Sequence, residues 1–155
     1  MRSGREVRVR VVLIGAIVAG CATTGSMSGE ISNPDGPPQH VTLSYTADRS
    51  GDRGYLSVTL PSGESFNGPY ARVGSAAAAV GPGLDMDFSV VDWGQTADTW
   101  TFGKDDSDKV VALLQGARGG QIRCRFTLLY AAGGIGDGGS GECQASTGVK
   151  IDVRF

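Results

Sequence analysis

Three cysteines (Cys21, Cys124 and Cys143) and one histidine (His40) are the side chains best suited to nucleophilic or metal chemistry in this 155-residue chain. They fall short of most His/Cys metal centres. A Ser-His-Asp triad would have to use His40, which ends a Pro- and Gly-rich stretch, and no G-x-S-x-G elbow presents a serine. Carboxylates are more numerous. Glu64, Asp85, Asp87 and Glu142 are formally available as an acid/base pair for hydrolysis of a glycan. Asp105-Asp106-Ser107-Asp108 and the set Asp85, Asp87 and Asp92 supply oxygens of the kind that hold Ca²⁺. Neither set has the EF-hand spacing with its closing glutamate, so both read as solvated loop acids, and no metal site or cofactor is assigned. Gly136, Gly138 and Gly141 match G-x-G-x-x-G, but Glu142-Cys143-Gln144 continues as a strand where a phosphate cradle needs a helix. Gly133–Gly141 therefore reads as a hairpin loop, mobile or tightly folded, with a backbone-lined binding loop as the alternative. Trp93, Trp100 and Phe102 bracket a polar turn and serve either the core or a binding surface. Arg123 and Arg125 form a small basic patch on one strand face, solvated or paired with Asp152.

The elements that would position these groups have period two. Val41, Leu43 and Tyr45 alternate with Thr42, Ser44 and Thr46. Leu56, Val58 and Leu60 alternate with Tyr55, Ser57 and Thr59. Ile122, Cys124, Phe126, Leu128 and Tyr130 share one face, and Val149, Ile151, Val153 and Phe155 share another. Such alternation marks half-buried strands. Val110–Leu114 is continuously apolar and fits a strand buried on both faces. Met86–Val91 is a further candidate strand and Gly74–Val80 a candidate short helix. Turn residues punctuate the runs at Pro61-Ser62-Gly63, Asn67-Gly68-Pro69, Ala117–Gly120 and Thr147-Gly148. The expected fold is all-β: one small antiparallel meander closed into a barrel or sandwich over residues 41–155. Ala22–His40, rich in Gly, Ser, Thr and Pro, reads with Cys21 as a flexible tether over 21–40.

Residues 1–20 carry an address. Arg2, Arg5, Arg8 and Arg10 precede nine uncharged residues, Val11–Ala19, followed by Gly20 and Cys21. A basic region, a short apolar run and small residues make a secretory signal peptide. Nine residues cover about half of a ~30 Å hydrocarbon core, too little for a permanent span. Val18-Ala19-Gly20-Cys21 resembles the lipobox of bacterial lipoproteins. The resemblance implies cleavage between Gly20 and Cys21, a diacylglyceryl thioether on Cys21 and an N-acyl chain such as palmitate. Ala22 stands where an Asp would imply inner-membrane retention, so the implied location is the cell envelope, at the outer membrane facing the periplasm. The mature chain would have 135 residues and a net charge of −5, because four arginines and one glutamate leave with the leader. Anchoring would then rest on lipid, with no nucleic acid among the partners.

Export to an oxidising compartment favours a bridge between Cys124 and Cys143. A hairpin centred in Ala131–Gly136 sets residue 124 opposite residue 143. A redox or metal pair and free thiols are the alternatives. Gly54–Tyr70 resembles one MORN-type strand-turn-strand unit through Pro61-Ser62-Gly63-Glu64 and Phe66-Asn67-Gly68, in a single copy that makes no array. Val110–Phe155 is similar to the C-terminal pattern of small bacterial lipoproteins with no activity to carry over.

Composition narrows the function further. The chain has 25 glycines, roughly double the usual ~7%. A net charge of −2 excludes a strongly basic nucleic-acid binder. The expectation is a lipid-anchored envelope protein, not an enzyme, whose β domain binds an envelope protein or serves structure. The alternative is an envelope hydrolase using carboxylates such as Glu64 and Asp85 on peptidoglycan or glycan.

Overall fold

The computed structural model describes residues 22–32, 36–73 and 107–155. They form eight strands: β1 (Thr23–Ile31), β2 (Gln39–Ala47), β3 (Arg53–Thr59), β4 (Ser65–Arg72), β5 (Lys109–Gly116), β6 (Gln121–Leu128), β7 (Gly139–Ala145) and β8 (Lys150–Arg154). Each is antiparallel to the next, and β8 pairs back onto β1 to close a barrel in simple sequence order. The all-β meander is therefore a barrel and not a sandwich. No helix among the described residues is long and apolar enough to cross a membrane.

The register fixes how wide the barrel is. Tracing opposed residues from Thr23 through Ala47, Gly54, Tyr70, Ala112, Cys124, Cys143 and Ile151 returns to β1 at Ile31, eight residues on. Eight strands staggered by eight residues enclose only enough room for side chains. The inward set fills it: Met27, Leu43, Leu56, Tyr70, Val110, Leu114, Ile122, Phe126, Ile151 and Val153 are almost wholly buried. On β1, β2, β3 and β8 the outward positions alternate with them and are largely polar, whereas on β5 the outward Val111 is buried as well, as expected of a strand covered on both faces.

Four expectations are corrected. Thr23–Ile31, assigned to the flexible tether, is a full strand paired on both sides. Its inward positions are Gly25, Met27, Gly29 and Ile31, so two of the four look like linker residues. A Cβ on Gly25 would sit 2.3 Å from the Tyr45 hydroxyl, and one on Gly29 2.8 Å from Val41. The glycines make room for bulky neighbours, and the barrel begins at residue 23 rather than 41. Asn67-Gly68-Pro69, read as a turn, runs straight through β4. Gly68 lies against the β5 backbone, where a Cβ would meet the Leu113 carbonyl oxygen at 2.0 Å. Pro69 lacks an N–H, and the β4–β5 ladder skips this stretch between Asn67 and Tyr70. Tyr130 lies beyond the end of β6 and is exposed rather than on its buried face. His40 is the second residue of β2, not part of a linker.

The barrel has two dissimilar ends. At one, three hairpins share a single hydrogen-bond pattern: Leu60 N–H to Glu64 and Gly63 N–H to Leu60, Gly116 to Gly120 and Gly119 to Gly116, Ala145 to Val149 and Gly148 to Ala145. Each uses a glycine with φ of +81°, +86° or +88°, at Gly63, Gly119 and Gly148. This is a three-residue hairpin closed by a left-handed glycine. At the other end, the β6–β7 connection folds a 3₁₀ turn, Ile135–Asp137, across the opening.

Candidate functional site

The plugged end shows what the glycine-rich loop does. Ile135 is fully buried and joins the core. The Arg72 side chain, at the end of β4, donates to the Ala131 carbonyl at 2.6 Å and to the Gly133 carbonyl, and its Nε lies 2.8 Å from the Asp52 carboxylate. Gly51 and Gly134 meet backbone to backbone, since a Cβ on Gly51 would stand 2.6 Å from the Gly134 Cα. Asp137 accepts the Gly134 N–H at 3.0 Å. Gly133–Gly141 is thus a fixed stopper, the tightly folded form of the hairpin loop. Gly141 is pressed against the β6 backbone, 2.2 Å from the Arg125 carbonyl oxygen for a notional Cβ, so it lines no phosphate cradle.

Two titratable groups at this end depart from their ordinary values. Burial alone raises the Asp48 carboxyl, but hydrogen bonds from the Ser50 hydroxyl and from the backbone around Gly51, Arg53 and Ser50 outweigh it and hold the group low. The Ser50 hydroxyl donates at 2.7 Å. Burial pushes the Tyr70 phenol well up, and Asp48, Tyr45 and Asp52 add to the rise. The Tyr70 hydroxyl is buried and has no hydrogen-bond partner among the described residues.

Cys124 and Cys143 face each other directly on β6 and β7 and are bridged, with Cα atoms 4.0 Å apart. That is the close spacing of a non-hydrogen-bonded antiparallel pair. Both sulfurs belong to the buried core. The bridge is accordingly a structural staple inside the barrel, across the hairpin whose loop carries Ile135.

The outer wall holds a polar concavity of about 790 Å³ over β6, β7, β8, β1 and β2. One ladder rung crosses it in the order His40, Glu30, Asp152, Glu142, Arg125. Arg125 and Glu142 form an ion pair at 2.6 Å. Glu30 and Asp152 are directly opposed like charges, an arrangement that costs stability in a sheet. Ser32 donates to Asp152 at 3.4 Å. Arg154 stands one rung away beside Ser28 and Ser140. The site can offer hydrogen bonds and charge of both signs to a partner lying along the wall.

Several expected site residues fall elsewhere. The basic patch is divided: Arg123 is buried and donates to Gln144 at 2.7 Å, while Arg125 pairs with Glu142, not with Asp152. Glu64 lies at the hairpin end beside Gly116 and Phe66, away from the groove. Gly20, Cys21, Asp85, Asp87, Asp92, Trp93, Trp100, Phe102, Asp105, Asp106, the 74–80 helix and the 86–91 strand lie outside the described residues. Among the described residues no group of three or more His, Cys, Asp or Glu side chains could hold a metal ion. Sequence reasoning missed Glu30 as a site residue because it missed β1. The one signal that could have exposed it is the alternation of Met27, Gly29 and Ile31 with Ser28 and Glu30.

Comparison with protein-family models, curated proteins and solved structures finds no match.

Proposed function

We propose that this chain is a lipid-anchored envelope protein, cleaved before Cys21 and lipidated on it. In this reading its barrel does non-catalytic binding or structural work at the outer membrane, facing the periplasm. What supports a non-catalytic role is the filled and cross-linked interior, which leaves the outer wall as the working surface. The groove crossed by Glu30, Asp152 and Glu142 is the binding face, and the partner is an envelope protein. The like-charged pair Glu30/Asp152 is a local cost kept on an exposed wall, as happens where a surface meets a partner. The anchor is tested by intact mass of the mature protein and by Cys21→Ala: an unmodified Cys21 or unchanged processing defeats it. The binding face is tested by chemical cross-linking in intact envelopes. Glu30→Lys and Asp152→Lys should abolish a defined cross-link that Arg118→Glu, at the hairpin end, leaves intact.

The hydrolase reading retains one observation, the three carboxylates side by side in a concavity. Glu30 and Asp152 are exposed, however, and no apolar wall among the described residues encloses them to hold a sugar ring and exclude water. Turnover of peptidoglycan or glycan by the purified protein, lost in Glu30→Gln or Asp152→Asn, would establish it and displace the binding role.

A further inference from the structure

We propose that the plugged end of the barrel docks on the membrane, with Leu129 and Tyr130 entering the lipid surface beside the anchored N-terminus. This rests on the lipid anchor at Cys21 proposed above and adds an orientation to it.

The first argument is reach. β1 begins at Thr23, only two residues after Cys21. Two residues span at most about 7 Å when fully extended. A flexible tether of twenty residues would have averaged about 25 Å. With β1 folded into the wall, the barrel cannot hang away from the bilayer. One end must lie against the headgroups.

The second argument is which end. Thr23 is opposite Ala47, the last residue of β2, so the anchored strand starts at the end where β2 joins β3, β4 joins β5 and β6 joins β7. Leu129 and Tyr130 follow directly on β6 at that same end. Three large apolar or aromatic side chains stand out as exposed among the described residues: Tyr55 at 67%, Leu129 at 65% and Tyr130 at 63%. Tyr55 lies two residues from Arg53, the start of β3, again at this end. The hairpin end has no counterpart among them.

The third argument is chemistry. A tyrosine suits the membrane interface, with its ring among acyl chains and its hydroxyl among headgroups. Leu129 and Tyr130 are held rather than loose: Leu129 N–H donates to Gly138 at 2.9 Å and Gly133 N–H to Tyr130 at 3.0 Å. Arg72 fixes the next turn of the loop. Among the described residues of this rim the charges oppose one another, with Arg49, Arg53, Arg72 and Lys109 against Asp48, Asp52, Asp108 and Asp137. The anchor supplies a high local concentration of bilayer, and the apolar pair turns proximity into contact.

Hydroxyl-radical footprinting of the lipidated protein in vesicles of phosphatidylethanolamine and phosphatidylglycerol tests this, with the leaderless, unlipidated protein beginning at Ala22 in solution as reference. His40, exposed near the hairpin end, is the internal control. The expected result is a severalfold fall in labelling of Leu129 and Tyr130 in vesicles with His40 unchanged. Mass spectrometry of the same sample reports the lipid. An unmodified Cys21 overturns the anchor and this docking with it. A lipidated protein whose Leu129 and Tyr130 label equally in both states overturns the docking alone. Shielding in native envelopes but not in protein-free vesicles assigns the face to a protein and also overturns it. Leu129→Ser/Tyr130→Ser, two exposed changes that leave the core intact, should keep the lipid and raise labelling in vesicles of Tyr55, which stands at the same end.

Discussion

The two ends of this barrel close by different means. One is finished by three copies of a local device, in which five consecutive residues hydrogen-bond among themselves and a left-handed glycine completes the turn. The other is finished by residues far apart in the chain: Arg72 reaches Ala131 and Gly133, Gly51 meets Gly134, and Ile135 fills the opening. A local end can form wherever its five residues occur. A stopper exists only once distant strands are already in place, and its stability is tied to that of the whole barrel.

The sharpest way to break the contrast is Ile135→Ala. Emptying a fully buried side chain should cost about 3 kcal/mol in chemical denaturation. A cost near zero would make the loop an ordinary mobile tip. Next comes Cys124→Ala/Cys143→Ala, which opens a 19-residue loop and should cost up to about 3 kcal/mol. Hydrogen exchange should then rise first in the stopper, since the bridge holds the hairpin that carries it. At the hairpin end, Gly63→Ala, Gly119→Ala and Gly148→Ala each strain a positive φ without meeting another atom within 4 Å. Each should cost about 1 kcal/mol, and the three values should agree. Unequal values would mean that the turns are not equivalent.

The smallest effect concerns Tyr70. Its hydroxyl is buried without a partner among the described residues, so Tyr70→Phe should be neutral or stabilising by up to about 1 kcal/mol near pH 7. The folded phenol titrates above its unfolded value, so the folded state holds this proton more tightly. Its contribution is fully present below the ordinary phenol value of 10.0 and is lost as pH rises beyond it. The margin by which Tyr70→Phe exceeds the parent should therefore widen between about pH 9 and pH 11. A constant margin would show that Tyr70 does not ionise on unfolding in that range.

The same division governs what could be read from the chain. The hairpin end was legible because its information is local: Pro61-Ser62-Gly63, Ala117–Gly120 and Thr147-Gly148 sit where the turns form. Opposition of Cys124 and Cys143 was legible because a hairpin register follows from its own midpoint. β1 was not, because two of its inward positions are glycines whose space is filled from β2 and β8. β4 was misread at Asn67-Gly68-Pro69 because close approach to β5 sets that stretch. The row from His40 to Arg125 depends on closure between β8 and β1, and the Arg72 clasp joins residues about sixty positions apart, which no short window contains. Any site assembled by closure is hidden for the same reason.

That seam has a kinetic meaning. β1 and β8 are joined by pairs such as Ser28 with Arg154, more than a hundred residues apart, and no strand before β8 can complete the ring. Closing so long a loop is slow, although each doubling of its length adds only about 0.6 kcal/mol. A chain that crosses a membrane unfolded, as the proposed leader requires, gains from this delay. The first strand stays unsealed until the last one arrives, which under that proposal would keep the polypeptide threadable during transit and set the ring on the side where β8 emerges.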